Sequence, residues 1–529
     1  LRQKDRATSM AFVFSLEPKQ RCFGFFTARM GSGHCPYSHR KRRKNMWDQI
    51  TNVLKWIDDQ VWGVPLIVLI LAAGIYLSIR VRFLQVRHLP RALKYMVKNE
   101  EGGHGEVSSF GALCTALSAT IGTGNIVGVA TALVAGGPGA LLWMWLAAFF
   151  GMATKYAEGV LAIKYRHIDE EGHVLGGPFY YIENGMGRRW KWLAKIFAFF
   201  GVGVGLFGIG TFTQVNGISS AVHNFFDPNT SWSVNLFGGE YSWTVVIAGV
   251  LLTLAAGLVI IGGLKRIAGV SQVVVPFMSV LYILFALVLL VFNADKLPGA
   301  IVEIVESAFG LRAVAGGILG SMIVAMQMGI ARGIFSNEAG LGSAPIAAAA
   351  AKTKDPVRQG LVSMTGTFID TIIVCTMTGL CIVVTGAWDM GLEGVAVTTQ
   401  AFQSGFSFWA PEVSAFVLMI CLVFFAFTTI LGWDYYSERC LEYLTGGKKK
   451  VVSVYRWIYI AAIFIGPYMT VEAVWTIADI FNALMAIPNI IALAVLSNVV
   501  ARETKEYFSK DKEVRKLEKQ NRKLAAARK

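Results

Sequence analysis

The feature that most limits the fold is a succession of long apolar stretches. Eleven follow one another, at 62–79, 110–135, 139–164, 193–221, 242–263, 269–292, 316–350, 358–385, 411–436, 454–470 and 474–500. About 20 apolar residues suffice for a helix to cross the hydrocarbon core of a bilayer. Only 16% of the residues are charged and the mean hydropathy is +0.53, whereas soluble domains carry about 25% charged residues. The sequence therefore predicts an all-α polytopic membrane protein with eleven transmembrane helices.

Basic residues are distributed unequally over the loops between these stretches. Alternate loops, within 80–98, 166–191, 265–266, 352–358 and 439–456, carry most of the lysines and arginines, and the other loops contain only Lys296 and Arg312. Because basic loops stay on the cytoplasmic side, we expect a multi-pass protein of the plasma (inner) membrane with its N-terminus outside and its C-terminus in the cytoplasm. The net charge of +15 then reflects membrane orientation, and we expect no nucleic-acid partner.

The two ends of the chain differ from the apolar core. Residues 1–45 contain scattered basic residues and the run HRKRRK at 39–44, without an apolar stretch of signal-peptide type. We expect this segment to be a disordered basic leader or an added segment, with Met46 as the natural start. Residues 501–529 mix Lys, Arg and Glu, which is typical of a solvated cytoplasmic tail.

Small and polar residues interrupt two of the apolar stretches. Residues 118–128 read SATIGTGNIVG, and residues 329–345 read GIARGIFSNEAGLGSAP. A membrane helix must satisfy its backbone groups internally, so these sequences indicate two helices that are broken at mid-depth. Two alternatives stay open: Gly124 and Gly128 could merely allow close helix packing, and the second stretch could be a loop between two short segments.

The two interruptions occupy equivalent positions in the chain. If 57–83 is an extra N-terminal helix, each interrupted stretch heads a run of five, over 107–292 and over 316–500. An odd number of crossings inverts the second run relative to the first. Interrupted segments at corresponding positions of inverted halves indicate a transporter site at the midplane. We therefore predict a 5+5 inverted repeat whose two broken helices face each other.

Three blocks of sequence are similar to a known family. Residues 118–145, 176–187 and 333–361, the last reading GIFSNEAGLGSAPIAAAAAKTKDPVRQGL, resemble the alanine or glycine:cation symporter family, also called sodium:alanine symporters. The resemblance covers roughly residues 57–500. It implies a leucine-transporter type fold and sodium-driven import of a small neutral amino acid. Sodium would be a transported ion and not a prosthetic group, and the protein would not be an enzyme.

An amino acid zwitterion needs partners for both of its charges. Amide groups at a helix N-terminus suit the carboxylate, and carbonyl groups suit the ammonium and a cation. We assign the carboxylate to the first break and the ammonium to the second, with Phe335 as a lid. Gln214 and Trp433 could line the pocket, or could serve helix packing and the membrane interface. The substrate candidates are Thr120, Ile121, Gly122, Thr123, Gly124, Gln214, Phe335, Ser336, Asn337 and Trp433.

Sodium prefers hard oxygen ligands. In transporters of the fold that the resemblance implies, one sodium lies between core helices one and eight, and the matching feature here is Thr428 and Thr429. Threonines in helices also bond back to their own carbonyls. Asn125 is a third candidate ligand, or it could hold the first break open by bonding to the backbone. Asp370 could bind a cation or pair with Arg332.

We thus expect a secondary active symporter that works by alternating access on alanine, glycine or a similar amino acid. The expected partners are this amino acid, sodium and the lipid bilayer. Alternatives are a glutamine-preferring member, proton coupling through Asp370 or Glu338, and, from another class, a channel. No Walker A sequence occurs, so a gradient and not ATP should drive transport.

Overall fold

The structure is a computed structural model. It describes residues 53–54, 56–57, 61, 63–98, 100, 103–170, 172–236, 239–311, 318–406, 409–469 and 471–527. The predicted leader, residues 1–45, lies outside the described residues.

The first half of the described chain begins with one apolar helix and two short ones. These are α1 (Val64–Arg80), α2 (Leu84–Arg87) and α3 (Leu89–Val97). Longer helices follow: α4 (Ser109–Thr120), α5 (Val129–Gly136), α6 (Ala140–Lys164), the short α7 (Pro178–Tyr180), α8 (Lys191–Phe207), α9 (Phe212–Phe226), α10 (Trp243–Ile260) and α11 (Gly263–Phe292). A π-helical turn, Gly124–Gly128, precedes α5. We call α4, the π turn and α5 the first broken helix.

The second half of the described chain is also helical. It contains α12 (Leu297–Ala308), α13 (Ile318–Asn337), α14 (Ala344–Ala349), α15 (Pro356–Thr367), α16 (Thr376–Thr385), α17 (Val395–Gly405), α18 (Pro411–Thr445), α19 (Lys449–Ile465) and α20 (Val471–Ala527). A π-helical stretch, Phe368–Cys375, joins α15 to α16. We call α13 and α14 the second broken helix.

Two antiparallel hairpins lie between helices. Strands β1 (His167–Ile168) and β2 (Val174–Leu175) pair between α6 and α7, and β3 (Ser233–Leu236) pairs with β4 (Gly239–Ser242) between α9 and α10. The second hairpin is fixed by Asp227, whose carboxylate accepts hydrogen bonds from Ser231 and Ser242. Both hairpins are short, so the fold of the described residues is dominated by helices.

Within the described residues, eight helices are long and apolar enough to cross a membrane. The bent pair Ser109–Thr120 and Gly124–Gly136, with an angle of 53° between its parts, raises this number to nine, and Val64–Arg80 is a shorter apolar helix. The structure is thus a multi-helix membrane protein. The sequence-based number of eleven and the inverted repeat stay predictions.

The sequence predicted one continuous helix over 193–221, but the described helix is interrupted. α8 ends at Phe207 and α9 begins at Phe212. A Cβ atom on Gly210 would lie 2.6 Å from both Gly205 O and Trp433 Cβ, so the chain needs a glycine to turn here. The interruption also frees Ile209 O, which accepts a hydrogen bond of 2.9 Å from Gln214 Nε2. This hydrogen bond orients the Gln214 side chain.

Helix α6 is buried along most of its length, without interruption from Gly151 to Ile163. It packs against α13 and α15, and small residues permit close contact: a Cβ on Gly159 would meet Ser363 and Gly360 at 2.7–3.0 Å. Two of its charged side chains, Lys155 and Glu158, are also buried. A buried charge in a membrane helix is costly unless other groups compensate it.

The end of α14 is held by an arginine from the segment after α6. The Arg166 guanidinium donates hydrogen bonds of 2.6–3.0 Å to four backbone carbonyls. Their residues are His104, Ala349, Ala351 and Thr353. One side chain therefore ties the second broken helix to the loop that precedes the first.

Candidate functional site

The first broken helix is open at Ile121–Thr123. Ile121 leaves the helical conformation (φ −79°, ψ 94°) at the end of α4. The Gly122 amide donates to Asn125 Oδ1 (2.8 Å), and the Thr123 amide donates to Gln214 Oε1 (3.0 Å). Two backbone donors released by the break are therefore directed at side-chain oxygens. Such donors also suit a carboxylate.

The two broken helices meet at their interruptions. A Cβ atom on Gly124 would lie 3.2 Å from Ser336 Cα and 3.3 Å from Phe335 Cδ1. By contrast, a Cβ on Gly128 would have nothing within 4 Å. The alternative that these two glycines allow close helix packing is thus wrong for Gly128, whereas Gly124 does permit close packing, here between the two broken helices.

Asp370, in the π-helical stretch, connects the two breaks. Its carboxylate accepts hydrogen bonds from Asn125 Nδ2 (2.7 Å), just after the first break, and from Ser336 Oγ (2.9 Å), in the last turn of α13 just before the second. Thr371 Oγ1 donates to it as well (2.7 Å), and Asn337 Nδ2 in turn donates to Thr371 (3.1 Å). Asn125 therefore spans from the Gly122 amide to this carboxylate. The oxygens gathered here are hard donors of the kind that an alkali cation prefers.

The two threonines of α18 have different surroundings. Thr429 Oγ1 lies 3.2 Å from Ile121 O, at the end of α4, and 3.1 Å from its own helix carbonyl at Phe425. Thr428 Oγ1 contacts the carbonyls of Phe424 and Phe425 and the sulfur of Met278. Thr429 thus reaches the first break, whereas Thr428 bonds back to its own helix. The Thr120 hydroxyl likewise donates to carbonyls of its own helix, those of Ala116 and Leu117.

Glu338 begins the second break and has an unusual backbone conformation. Its φ of 56° is left-handed, which few residues other than glycine adopt. Trp433 Nε1 donates a 2.8 Å hydrogen bond to Glu338 Oε1, and Ser343 Oγ donates to the other oxygen. The Glu338 carboxylate therefore connects the start of the second break to Trp433 on α18 and to Ser343, directly before α14. Trp433, predicted to line the pocket, contacts the second break through this bond.

The predicted lid residue, Phe335, is buried below an ion pair. Its ring lies 4.7 Å from that of Trp475, centroid to centroid, and Arg332 Cζ lies 5.0 Å from the Trp475 ring. Arg332 Nη1 pairs with Asp479 Oδ2 at 3.1 Å. The suggested pair between Arg332 and Asp370 is therefore wrong. Asp479 is 147 residues from Arg332 in the chain, so the sequence offered no local signal for this contact.

A further polar group near the second break was not predicted. Asn489 Nδ2, on α20, donates to Gly340 O (2.9 Å) and to Glu158 Oε1 (2.7 Å). It thereby connects α6, α20 and the second break. The sequence feature that could have indicated this network is Glu158, an ionisable residue within the apolar stretch 139–164. All of the predicted substrate and sodium residues are buried, including Thr120, which is 7% exposed.

Comparison with known proteins gives consistent matches. The model of the sodium:alanine symporter family matches residues 47–522. The chain is 46% identical to a sodium/alanine symporter, AgcS, of Methanococcus maripaludis, over 89% of this chain and 99% of that protein. It is 39% identical to a probable sodium/glutamine symporter, GlnT, of Bacillus subtilis, over 86% and 90%. The crystal structure of MhsT in complex with L-phenylalanine aligns with a TM-score of 0.50 at 14% identity, over 76% of this chain and 99% of that one, which shows a shared fold.

Proposed function

Because the chain belongs to the sodium:alanine symporter family, we propose that it imports alanine, glycine or a similar small neutral amino acid together with sodium. The protein is a multi-pass membrane transporter and not an enzyme. The observation that carries the proposal is the close approach of the two broken helices, where a Cβ atom on Gly124 would lie only 3.2 Å from Ser336 Cα. Free backbone groups from two interrupted helices then serve one bound zwitterion and its cation.

We propose that the substrate carboxylate binds the amides of the first break. The amides of Gly122 and Thr123 point at Asn125 Oδ1 and Gln214 Oε1, and a carboxylate can replace either oxygen as acceptor. The ammonium group is assigned to Phe335, Ser336 and Asn337, which form the last turn of α13 directly before the second break. Thr120, Ile121 and Gly124 complete the carboxylate side of the site. Trp433 stabilises the second break, on the ammonium side, through its hydrogen bond to Glu338.

We propose two places for sodium. The first lies between Ile121 O and Thr429 Oγ1, which are 3.2 Å apart, with Thr428 joining if its hydroxyl turns away from its own helix. The second is formed by Asn125, Ser336 and Asp370, where a carboxylate supplies a full negative charge. A cation at the second place also lies beside the substrate site, so ion and amino acid assist each other's binding.

We further propose the arrangement in the membrane. It comprises one extra helix before a 5+5 inverted repeat, eleven crossings in total, with residues 107–292 and 316–500 as the halves. The side that carries the basic loops, here called the basic side, is cytoplasmic, so the C-terminal tail is inside and the N-terminus outside. Movement of one half against the other then opens the site between them to one side of the membrane at a time.

Uptake by the purified full-length protein in proteoliposomes tests the function directly. We expect labelled alanine to accumulate only when sodium is more concentrated outside, and to saturate with alanine concentration, which a channel flux would not do. Labelled glutamine measured in parallel tests the glutamine-preferring alternative, and a proton gradient without sodium tests proton coupling. Equal alanine uptake with and without sodium would rule out the sodium symport proposed here.

The first sodium place is tested by Thr429→Val. The substitution keeps the side-chain shape but removes the hydroxyl that lies 3.2 Å from Ile121 O. If the lost oxygen ligand contributes about 1.4 kcal/mol of binding free energy, the affinity for sodium falls about tenfold. We therefore expect the sodium concentration for half-maximal uptake to rise about tenfold. The control is Thr365→Val, because Thr365 is buried and its hydroxyl donates to Val362 O in its own helix. An unchanged sodium requirement in Thr429→Val would place the ion elsewhere.

A further inference from the structure

Asp434 is a buried carboxylate that the proposed transport site does not use. It follows Trp433 on α18 and its side chain is 0% exposed. Neither carboxylate oxygen has a hydrogen-bond partner among the described residues. Asp370, Glu338 and Glu158 are equally buried, but each of them accepts hydrogen bonds from named donors. Asp434 therefore differs from the other acidic side chains of the bundle interior.

The ionisable groups around Asp434 do not supply a free counterion. Glu438 lies one helical turn further along α18, and both Glu438 and Arg456 on α19 are close enough to Asp434 to act on it electrostatically. The Arg456 guanidinium makes two hydrogen bonds to the Glu438 carboxylate, one of 2.8 Å. α19 also presents Tyr455 and Tyr459, and the Tyr459 hydroxyl donates to Ile430 O (2.8 Å) and Gly210 O (3.1 Å).

The neighbouring part of α8 offers no compensation. α8 packs against α18, and its stretch 201–205 reads GVGVG, without an ionisable side chain. Burying an ion carries a large desolvation penalty, which is repaid only by a close partner and further hydrogen bonds. A carboxylate without such partners is neutralised instead. A proton neutralises this carboxylate without requiring the several oxygen ligands that a hard cation prefers.

We propose that Asp434 binds a proton in the described conformation and releases it when the basic side of the protein opens to water. The site is separate from both sodium places. The proton enters or leaves as H⁺ between Asp434 Oδ and water, so no other reactant is required. The consequence for transport rests on the proposed function, whereas proton binding at Asp434 does not.

A cavity on the basic side gives water access to the neighbourhood of Asp434. Its volume is about 960 Å³, and its lining includes Tyr435, Glu438, Arg439 and Arg456. Glu438 and Arg456, the two charged groups that act on Asp434, thus both line this cavity. His173 also lines the cavity, and hydrogen bonds to Glu106 and Glu442 raise its pKa to about 9. The cavity is therefore polar and charged on several sides at neutral pH, which suits it to carry water and protons.

The position of Asp434 in the chain connects it to the second break. Trp433, its neighbour, donates to Glu338 at the start of that break. Charging Asp434 would favour exposing this part of α18 to water, and such a movement also displaces the Trp433 indole. Higher pH on the basic side should therefore favour opening on that side.

Infrared spectroscopy of the full-length protein in liposomes tests proton binding without any transport. A protonated carboxyl has a C=O stretching band that a carboxylate lacks. We expect Asp434→Asn to remove one such band, and Asp434→Glu, which keeps the acid, to shift it. As the control, Asp479→Asn should remove no carboxylic band, because Asp479 is paired with Arg332. A spectrum of Asp434→Asn that keeps every carboxylic band of the wild type would overturn the proposal.

Uptake measured against pH on the basic side tests the coupling. We expect sodium-driven alanine uptake of the wild type to vary with that pH and the dependence to be lost in Asp434→Asn, whose side chain stays neutral. The same pH profile in both proteins contradicts the coupling. If the wild type takes up no alanine, the proposed function fails, and the infrared bands still decide whether Asp434 holds a proton.

Discussion

We expect Gly122→Ala to reduce sodium-driven uptake by at least about tenfold, down to the background of empty liposomes. A Cβ atom at this position would lie 2.5 Å from Thr429 Oγ1 and 2.8 Å from Gln214 Oε1. The backbone of Gly122 is not in the left-handed region, so the cause is steric. Thr429 is short, stiff and buried, and it cannot move aside easily. Overpacking a filled interior costs about 1–3 kcal/mol, and about 1.4 kcal/mol is a factor of ten.

The chain provides a closely matched control for this substitution. Gly128 lies six residues further in the same broken helix, has helical dihedral angles (φ −63°), and a Cβ there would meet nothing within 4 Å. Gly128→Ala should therefore keep wild-type uptake. The measurement is the initial rate of labelled alanine uptake at equal amounts of reconstituted protein. If both variants transported normally, the first break would not bind substrate in the way proposed. If both failed, helix packing would be the better explanation.

Asp370→Asn should have an effect of similar size, through a different cause. The ionised carboxylate accepts from Asn125, Ser336 and Thr371, whereas an amide offers one acceptor atom and brings two N–H donors of its own. Hydrogen bonds to charged groups contribute about 1.5–3 kcal/mol each. We expect the half-saturating sodium concentration to rise at least about tenfold, since a tenfold change corresponds to about 1.4 kcal/mol.

The readout for Asp370 is sodium-dependent uptake over a series of sodium concentrations. Asp389→Asn serves as the control, because Asp389 is exposed in the turn after α16 and should keep the wild-type sodium curve. Asp370→Glu retains the charge on a longer side chain and should lie between wild type and Asp370→Asn. A wild-type sodium curve for Asp370→Asn would exclude the cation place formed with Asn125 and Ser336.

The broken helices were predictable because their signal is local. Glycine and Ser/Thr/Asn residues within an apolar stretch conflict with a continuous membrane helix wherever they occur. The structure interrupts the chain at Ile121–Thr123 and again after Asn337, inside the two predicted stretches. The roles of single atoms were less accessible. The open choice for Asn125 between ligand and backbone partner depends on where Asp370 lies, 245 residues away.

Other features escaped prediction because one sequence pattern allows two structures. The glycines at 203, 205, 208 and 210 are compatible with close packing and with a broken helix, and the structure uses both. Gly203 and Gly205 lie against Phe481 and Ser437, whereas the helix is interrupted at 208–211.

The ion pair between Arg332 and Asp479 and the bond from Asn489 to Gly340 join distant parts of the chain. Only the folded arrangement brings these partners together.

The four hydrogen bonds of Arg166 limit how the molecule can change shape. Its guanidinium binds carbonyls on the α14 end, on the segment that follows it and at His104, ahead of the first broken helix. Hydrogen bonds from one rigid planar group are lost together when its partners separate. The end of α14, the segment after it and the loop at His104 are therefore held to one side chain, and any movement that separates them must break hydrogen bonds of Arg166.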